Sequence, residues 1–159
     1  MGLPDEVRSH FAGYDFGPPC SEADIRRAEA ALGEELPAVL RELYLAFNGF
    51  LGPTNAAFFW PLFAWEPEHA GLVEMNSFFR GDVLFPQQLV SQCLFYGDNG
   101  CGPQWGLKRD LPGQVIQWDA RWGEDFAVVG DSPLAVWLAE KRMYDALGEA
   151  GNASQGAVT

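Results

Sequence analysis

Helical periodicity at the two ends of the chain, short apolar runs separated by turn residues in its middle, and no strand–helix alternation predict an α+β domain. The expected architecture is two N-terminal helices, a mainly antiparallel sheet of about five to six strands, and a C-terminal helix packed on that sheet. The chain has 159 residues, enough for one domain with a real core. Residues 1–148 are expected to form that single domain, and 149–159 a flexible tail of small residues without periodicity.

The first element is "CSEADIRRAEAALGEEL". Ser21 can cap a helix with Asp24 as the reciprocal acid three residues on, Ile25, Ala28 and Leu32 recur at helical spacing, and Gly33 stops it. The second is "LPAVLRELYLAFNGF". Pro37 suits a first turn, Leu36, Leu40, Leu43 and Phe47 share a face, and Asn48-Gly49 supplies a left-handed ending. From Phe50 the texture changes. "TNAAFFWPLF" reads as a short apolar strand stopped by Pro61, "EHAGLVEMNSFFRGD" as a short helix, and "VSQCLFYGD" as the approach to an apolar strand. "PQWGLKR" and "QVIQWDA" read as two strands joined by the turn "DLPGQ", and "DFAVVGD" as a further, buried strand. "DSPLAVWLAEKRMYDAL" closes the domain as a helix, with Ser132 as cap and Pro133 in its first turn.

Composition narrows the function. The residues are 48% apolar and 14% aromatic, which folds, and no apolar run reaches the roughly 20 residues of a membrane span. Neither a signal peptide nor a myristoylation pattern opens the sequence, so a cytoplasmic protein is expected. Cys20, Cys93 and Cys101 form an odd set without CxxC spacing, which argues against disulfides and zinc. Two lysines against eight arginines point to a GC-rich, bacterial source. The net charge is −12, so the basic footprint that nucleic acid requires is absent. Trp60–Gly100 and Asp110–Asp131 each hold five acids against one base, and so carry −8 of the −12.

Sites of chemistry are weakly supported. "FYGDNGCGPQWGLKRD" has four glycines, yet no Lys-hydroxyl pair follows them, the GxGxxG order is absent, and oxygen ligands do not alternate as a calcium loop needs. It reads as a strand–turn–strand connection. His10 and His69 have no metal-spaced partner and read as loop histidines; Cys93 reads as a core residue, Cys101 has no His near it in sequence, and no GxSxG elbow exists. No catalytic residue, metal or cofactor is expected. Trp105, Trp118 and Trp137 fall on apolar faces. Trp65 and Trp122 instead lie in acid-rich loops, "FAWEPEH" and "DARWGED", the composition of an interface for a basic partner or of loops folded back on the core.

Four segments, in order, resemble the SUKH superfamily, which holds bacterial toxin-immunity proteins, Syd-like proteins and yeast regulators of cell-wall synthesis. They are "LPAVLRELYLAFNGF", with Leu36, Pro37, Asn48 and Gly49; "LFYGDNGCG"; "GQVIQWD", with Gly113, Val115, Trp118 and Asp119; and "VVGDSPLAVWLAE", with Ser132 to Leu138. Together they cover most of residues 21–147, while Phe58–Gln92 matches no family wording, and Pro133 stands where the family more often has an aromatic. The resemblance implies an α+β fold without catalytic residues that binds another protein. An acidic immunity protein facing a basic toxin domain fits the charge. Expected contact residues are Trp65, Glu66, Glu68, Asp98, Asp119, Trp122, Glu124 and Asp125. The alternative is a regulatory scaffold for host proteins, and an enzyme using Cys101 or a carboxylate pair ranks last. An exposed aromatic patch would serve a homodimer as well as a foreign partner, so the sequence is compatible with either monomer or homodimer.

Overall fold

A computed structural model describes residues 1–64 and 70–156, apart from the side chains of Asn55 and 153–156. Among the described residues the order is α1 (Leu3–His10), β1 (Asp15–Phe16), α2 (Glu22–Leu32), α3 (Ala38–Ala46), β2 (Phe50–Leu51), α4 (Leu72–Gly81), α5 (Gln87–Val90), β3 (Cys93–Asp98), β4 (Gln104–Lys108), β5 (Val115–Trp118), β6 (Ala127–Gly130) and α6 (Pro133–Gly156). The fold is α+β. β3, β4, β5 and β6 form an antiparallel meander in that order, and β1 pairs with β2 in a separate two-stranded sheet.

Local chemistry explains the helices. Ser21 and Asp24 exchange both bonds of a capping box, Ser21 Oγ accepting from the Asp24 amide at 3.1 Å and Asp24 Oδ2 from the Ser21 amide at 2.9 Å. Gly33 closes α2 in the left-handed region at φ 72°. Ser132 Oγ caps α6 by accepting from the Ala135 amide at 3.1 Å.

The four-stranded sheet carries a core on each face. Leu94, Tyr96, Trp105 and Val115 face α2, α3 and α6, where Trp137 donates from its indole to the Phe58 carbonyl at 2.8 Å. Phe95, Ile116 and Trp118 face α4 and α5. Trp118 stacks on Phe95 with centroids 5.3 Å apart, and Phe79 meets Trp118 edge-on at 5.4 Å. A strand buried on both faces has no polar alternation, which is why Cys93–Gly97 is one uninterrupted buried run.

Several expectations need correction. Three helices, not two, precede β2, because Leu3–His10 is helical and places His10 at a helix end instead of in a loop. The helix through Leu43 stops at Ala46 with Phe47 extended; Gly49, at φ 78°, serves instead a close approach, since a Cβ there would lie 2.5 Å from the Phe59 carbonyl oxygen. "TNAAFFWPLF" makes only an isolated bridge, Phe50 to Phe59, its backbone groups being shared among Phe50, Tyr96 and Trp137. β6 is exposed, with Val128 at 52% and Val129 at 36%. It is the last strand of the sheet, so one long side of it lacks a neighbour.

Candidate interaction site

The glycine-rich stretch forms the β3–β4 hairpin, pairing Asp98 with Gln104. Gln104 in turn pairs with Trp118, so Asp98, Gln104 and Trp118 stand in register at one end of the sheet. Two side chains brace the hairpin loop. Asn99 Nδ2 donates to Glu140 Oε1 at 3.0 Å, and the Tyr144 hydroxyl donates to the Asn99 carbonyl at 2.6 Å. A Cβ on Gly102 would lie 3.0 Å from Asp119 Oδ2 and 3.2 Å from Arg121 Nη2. The hairpin loop and the β5–β6 connection therefore touch, which brings Asp98 and Asp119, two of the expected contact residues, to one end of the sheet.

The acids there divide into two kinds. Asp98 accepts from the Trp60 indole at 2.8 Å and from the Gly100 amide at 2.7 Å. Burial pushes its carboxyl above the usual range, and those two donors oppose the rise. Asp119 is 4% exposed and takes a fork from Arg121, Nε at 2.9 Å and Nη2 at 2.6 Å, besides the Arg121 amide at 2.8 Å. Those bonds hold its carboxyl down at about 2. Both carboxylates are engaged by donors within the chain, Asp98 by neutral ones and Asp119 by Arg121.

Glu124 and Asp125 differ. Both are exposed, and neither joins an ion pair among the described residues. Trp122, 39% exposed, is the last residue of a 3-10 turn, Ala120–Trp122, whose start Asp119 caps. The Trp118 indole donates to the Gly123 carbonyl at 2.8 Å, which fixes that connection to the core below it. Trp122, Glu124 and Asp125 therefore form a fixed, half-apolar, negative surface. Trp65, Glu66 and Glu68 lie outside the described residues.

Sequence reasoning missed two features. Glu34, on the α2–α3 linker, pairs with Arg80 of α4 at 2.5 Å and with Arg109 after β4, while Arg80 Nη2 donates to the Cys93 carbonyl at 2.7 Å. No local pattern announces three charges so far apart in sequence. At the opposite end of the sheet a cleft of about 580 Å³ opens between the α2–α3 linker, the β4–β5 turn and the start of α6. Leu36, Val39, Leu94 and Leu107 line it, with Arg109 and Asp131 also among its walls. Among the described residues that line it, the one side-chain hydroxyl is that of Ser132, which caps α6, and none is a His or Cys. Cys20 and Cys93 are buried, and burial pushes both thiols up to about 12, far from a neutral-pH thiolate. Cys101 is exposed.

Residues 19–140 match the model of the SMI1 / KNR4 family (SUKH-1). The chain belongs to this family. The match begins two residues before the α2 cap and runs into α6, taking in the hairpin loop, the β5–β6 connection and the whole central sheet. A search of curated proteins found no match. No described helix is long and apolar enough to cross a membrane.

Proposed function

We propose that this chain is a non-enzymatic protein-binding domain, a cytoplasmic immunity protein that neutralises a cognate bacterial toxin by direct binding. One observation carries the reading: at the β5–β6 connection, half-exposed Trp122 stands with Glu124 and Asp125, two acids that no base of the described chain neutralises. Unpaired exposed charge does little for a fold, whereas it speeds encounter with a positively charged partner. An aromatic side chain held by a rigid connection supplies contact area at small entropic cost. Membership of the SUKH-1 family agrees with a binding role of this kind. Toxins that act on nucleic acid need basic surfaces, so an acidic inhibitor would cover the surface their activity depends on.

The test is capture from lysate of the source organism with this protein as bait, at about 50 mM and about 500 mM salt. Recovery of one basic toxin domain at low salt, much reduced at high salt, is expected. Recovery of host regulatory proteins alone would replace immunity by the scaffold role, and recovery of an enzyme's substrate-like small molecule with turnover would remove the non-enzymatic reading.

A further inference from the structure

The two long edges of the central sheet are treated in opposite ways. On β3, outward groups of Cys93, Phe95, Tyr96 and Asp98 are occupied by other parts of the chain. Asn76 of α4, itself 1% exposed, donates from Nδ2 to the Phe95 carbonyl at 2.8 Å and accepts the Phe95 amide on Oδ1 at 2.9 Å. One buried amide side chain thus imitates the neighbouring strand. Further along, the Trp60 amide donates to the Tyr96 carbonyl at 2.8 Å, and the Asp98 amide donates to the Ala57 carbonyl at 3.0 Å. Arg80 takes the Cys93 carbonyl. That edge is closed.

β6 has no such cover. Its only backbone partner among the described residues is β5, through Val115↔Gly130, Ile116↔Val128 and Gln117↔Ala127. Val128 and Val129 are 52% and 36% exposed along it, and Phe126, just before it, is 38% exposed. An apolar strand with a free row of amides and carbonyls is a template for another strand. The charges around it select which one. Glu124 and Asp125 precede β6, Asp131 follows it, all three are exposed, and none is in an ion pair among the described residues. Lys108, whose ammonium lies 5.7 Å from the Phe126 ring, is already paired with Asp110. A second copy of β6 would bring acids against acids. A segment with basic residues at alternate positions would meet opposite charge at both ends of the strand.

Resting on the protein-binding reading above, we infer that β6 is the docking edge, and that an extended basic segment of the partner protein adds to the sheet beside it as a fifth strand. Backbone bonds to β6 would give affinity without demanding a particular sequence, while Glu124, Asp125 and Asp131 would set the charge of the segment accepted.

The probe is a synthetic ten-residue peptide alternating lysine and valine, with its glutamate–valine counterpart as control, added to the full isotope-labelled chain at low salt. The expected result is at least tenfold slower amide hydrogen exchange at one or two of Ala127, Val128 and Val129, alternate positions only, with the lysine peptide and no change with the glutamate peptide. Val128→Lys, a surface change on the edge, is expected to weaken peptide binding at least tenfold, and Val128→Thr to leave it within about twofold. Binding without any change at β6, equal binding of both peptides, or a concentration-dependent dimer by light scattering that protects β6 in the absence of peptide would each overturn the inference. If the captured partner binds through Trp122, Glu124 and Asp125 while β6 amides stay unprotected, strand addition fails and the acidic-surface reading stands.

Discussion

Tyr44 and Tyr96 are both fully buried, and their hydroxyls have opposite fates. The Tyr44 hydroxyl donates to the Trp60 carbonyl at 2.7 Å, whereas that of Tyr96 has no hydrogen-bond partner among the described residues. A net hydrogen bond is worth about 1 kcal/mol, and a buried polar atom stripped of its partner costs about 1–3 kcal/mol. Tyr44→Phe leaves the Trp60 carbonyl without its donor and is expected to destabilise by about 1–3 kcal/mol. Tyr96→Phe keeps the ring contacts with Phe59 and Trp137 and removes only the stranded oxygen, so it should be neutral or stabilise by about 1 kcal/mol. Urea unfolding of the three proteins at one pH checks both. A loss for Tyr96→Phe equal to that for Tyr44→Phe would mean that the Tyr96 hydroxyl is bonded after all. The same contrast divides the acids: Asp119 is a structural residue bound to Arg121, and Glu124 five positions later is free. Their sequence context is equally acidic, so only tertiary placement separates them.

At the scale of elements, the β3 edge makes the sharpest stability prediction. Asn76→Ala deletes both bonds to Phe95, strands its amide and carbonyl in a dry setting, and leaves a small void; a loss of about 2–4 kcal/mol is expected by urea unfolding. Faster hydrogen exchange at Phe95 than at Phe59 should accompany it. An Asn76→Ala protein within about 0.5 kcal/mol of the parent would show that other groups close this edge. Helices were the most legible elements, since Ser21, Gly33 and Ser132 act through near neighbours and the chain announces them. The helix over Leu3–His10 was equally announced by Leu3, Val7 and Phe11 at four-residue spacing, with Asp5 and Glu6 in its first turn and Arg8 in its last. β6 was not legible in that way. Ala127–Gly130 has the composition of a buried strand, and its exposure follows from being last in the order β3-β4-β5-β6, which local sequence does not encode. The same holds for Asn76 and for the Glu34–Arg80–Arg109 cluster, whose partners come from segments far apart in the chain.

For the whole molecule the deciding quantity is the net charge of −12. Ion pairs such as Glu34–Arg80 and Arg121–Asp119 weaken when salt screens them, and the repulsion among the unpaired acids weakens too, so the sign of the salt effect reports which is larger. With 22 acids against 10 bases, most of the excess has no partner to lose. Repulsion should therefore dominate, and the thermal midpoint is expected to rise by about 2–4 °C, equivalent to about 1 kcal/mol, between 10 mM and 500 mM sodium chloride. Glu124→Gln with Asp125→Asn removes two charges that no base offsets, so that variant should melt at or above the parent at low salt and gain less from added salt. Differential scanning calorimetry on both proteins across that range decides it. A parent that melts lower in high salt would assign these acids to stabilising pairs and remove the reason for counting them as surface kept for a partner. A variant that matches the parent in stability but loses salt-sensitive partner binding would separate the two roles, with the ion pairs of Glu34 and Asp119 holding the fold and Glu124 and Asp125 serving recognition.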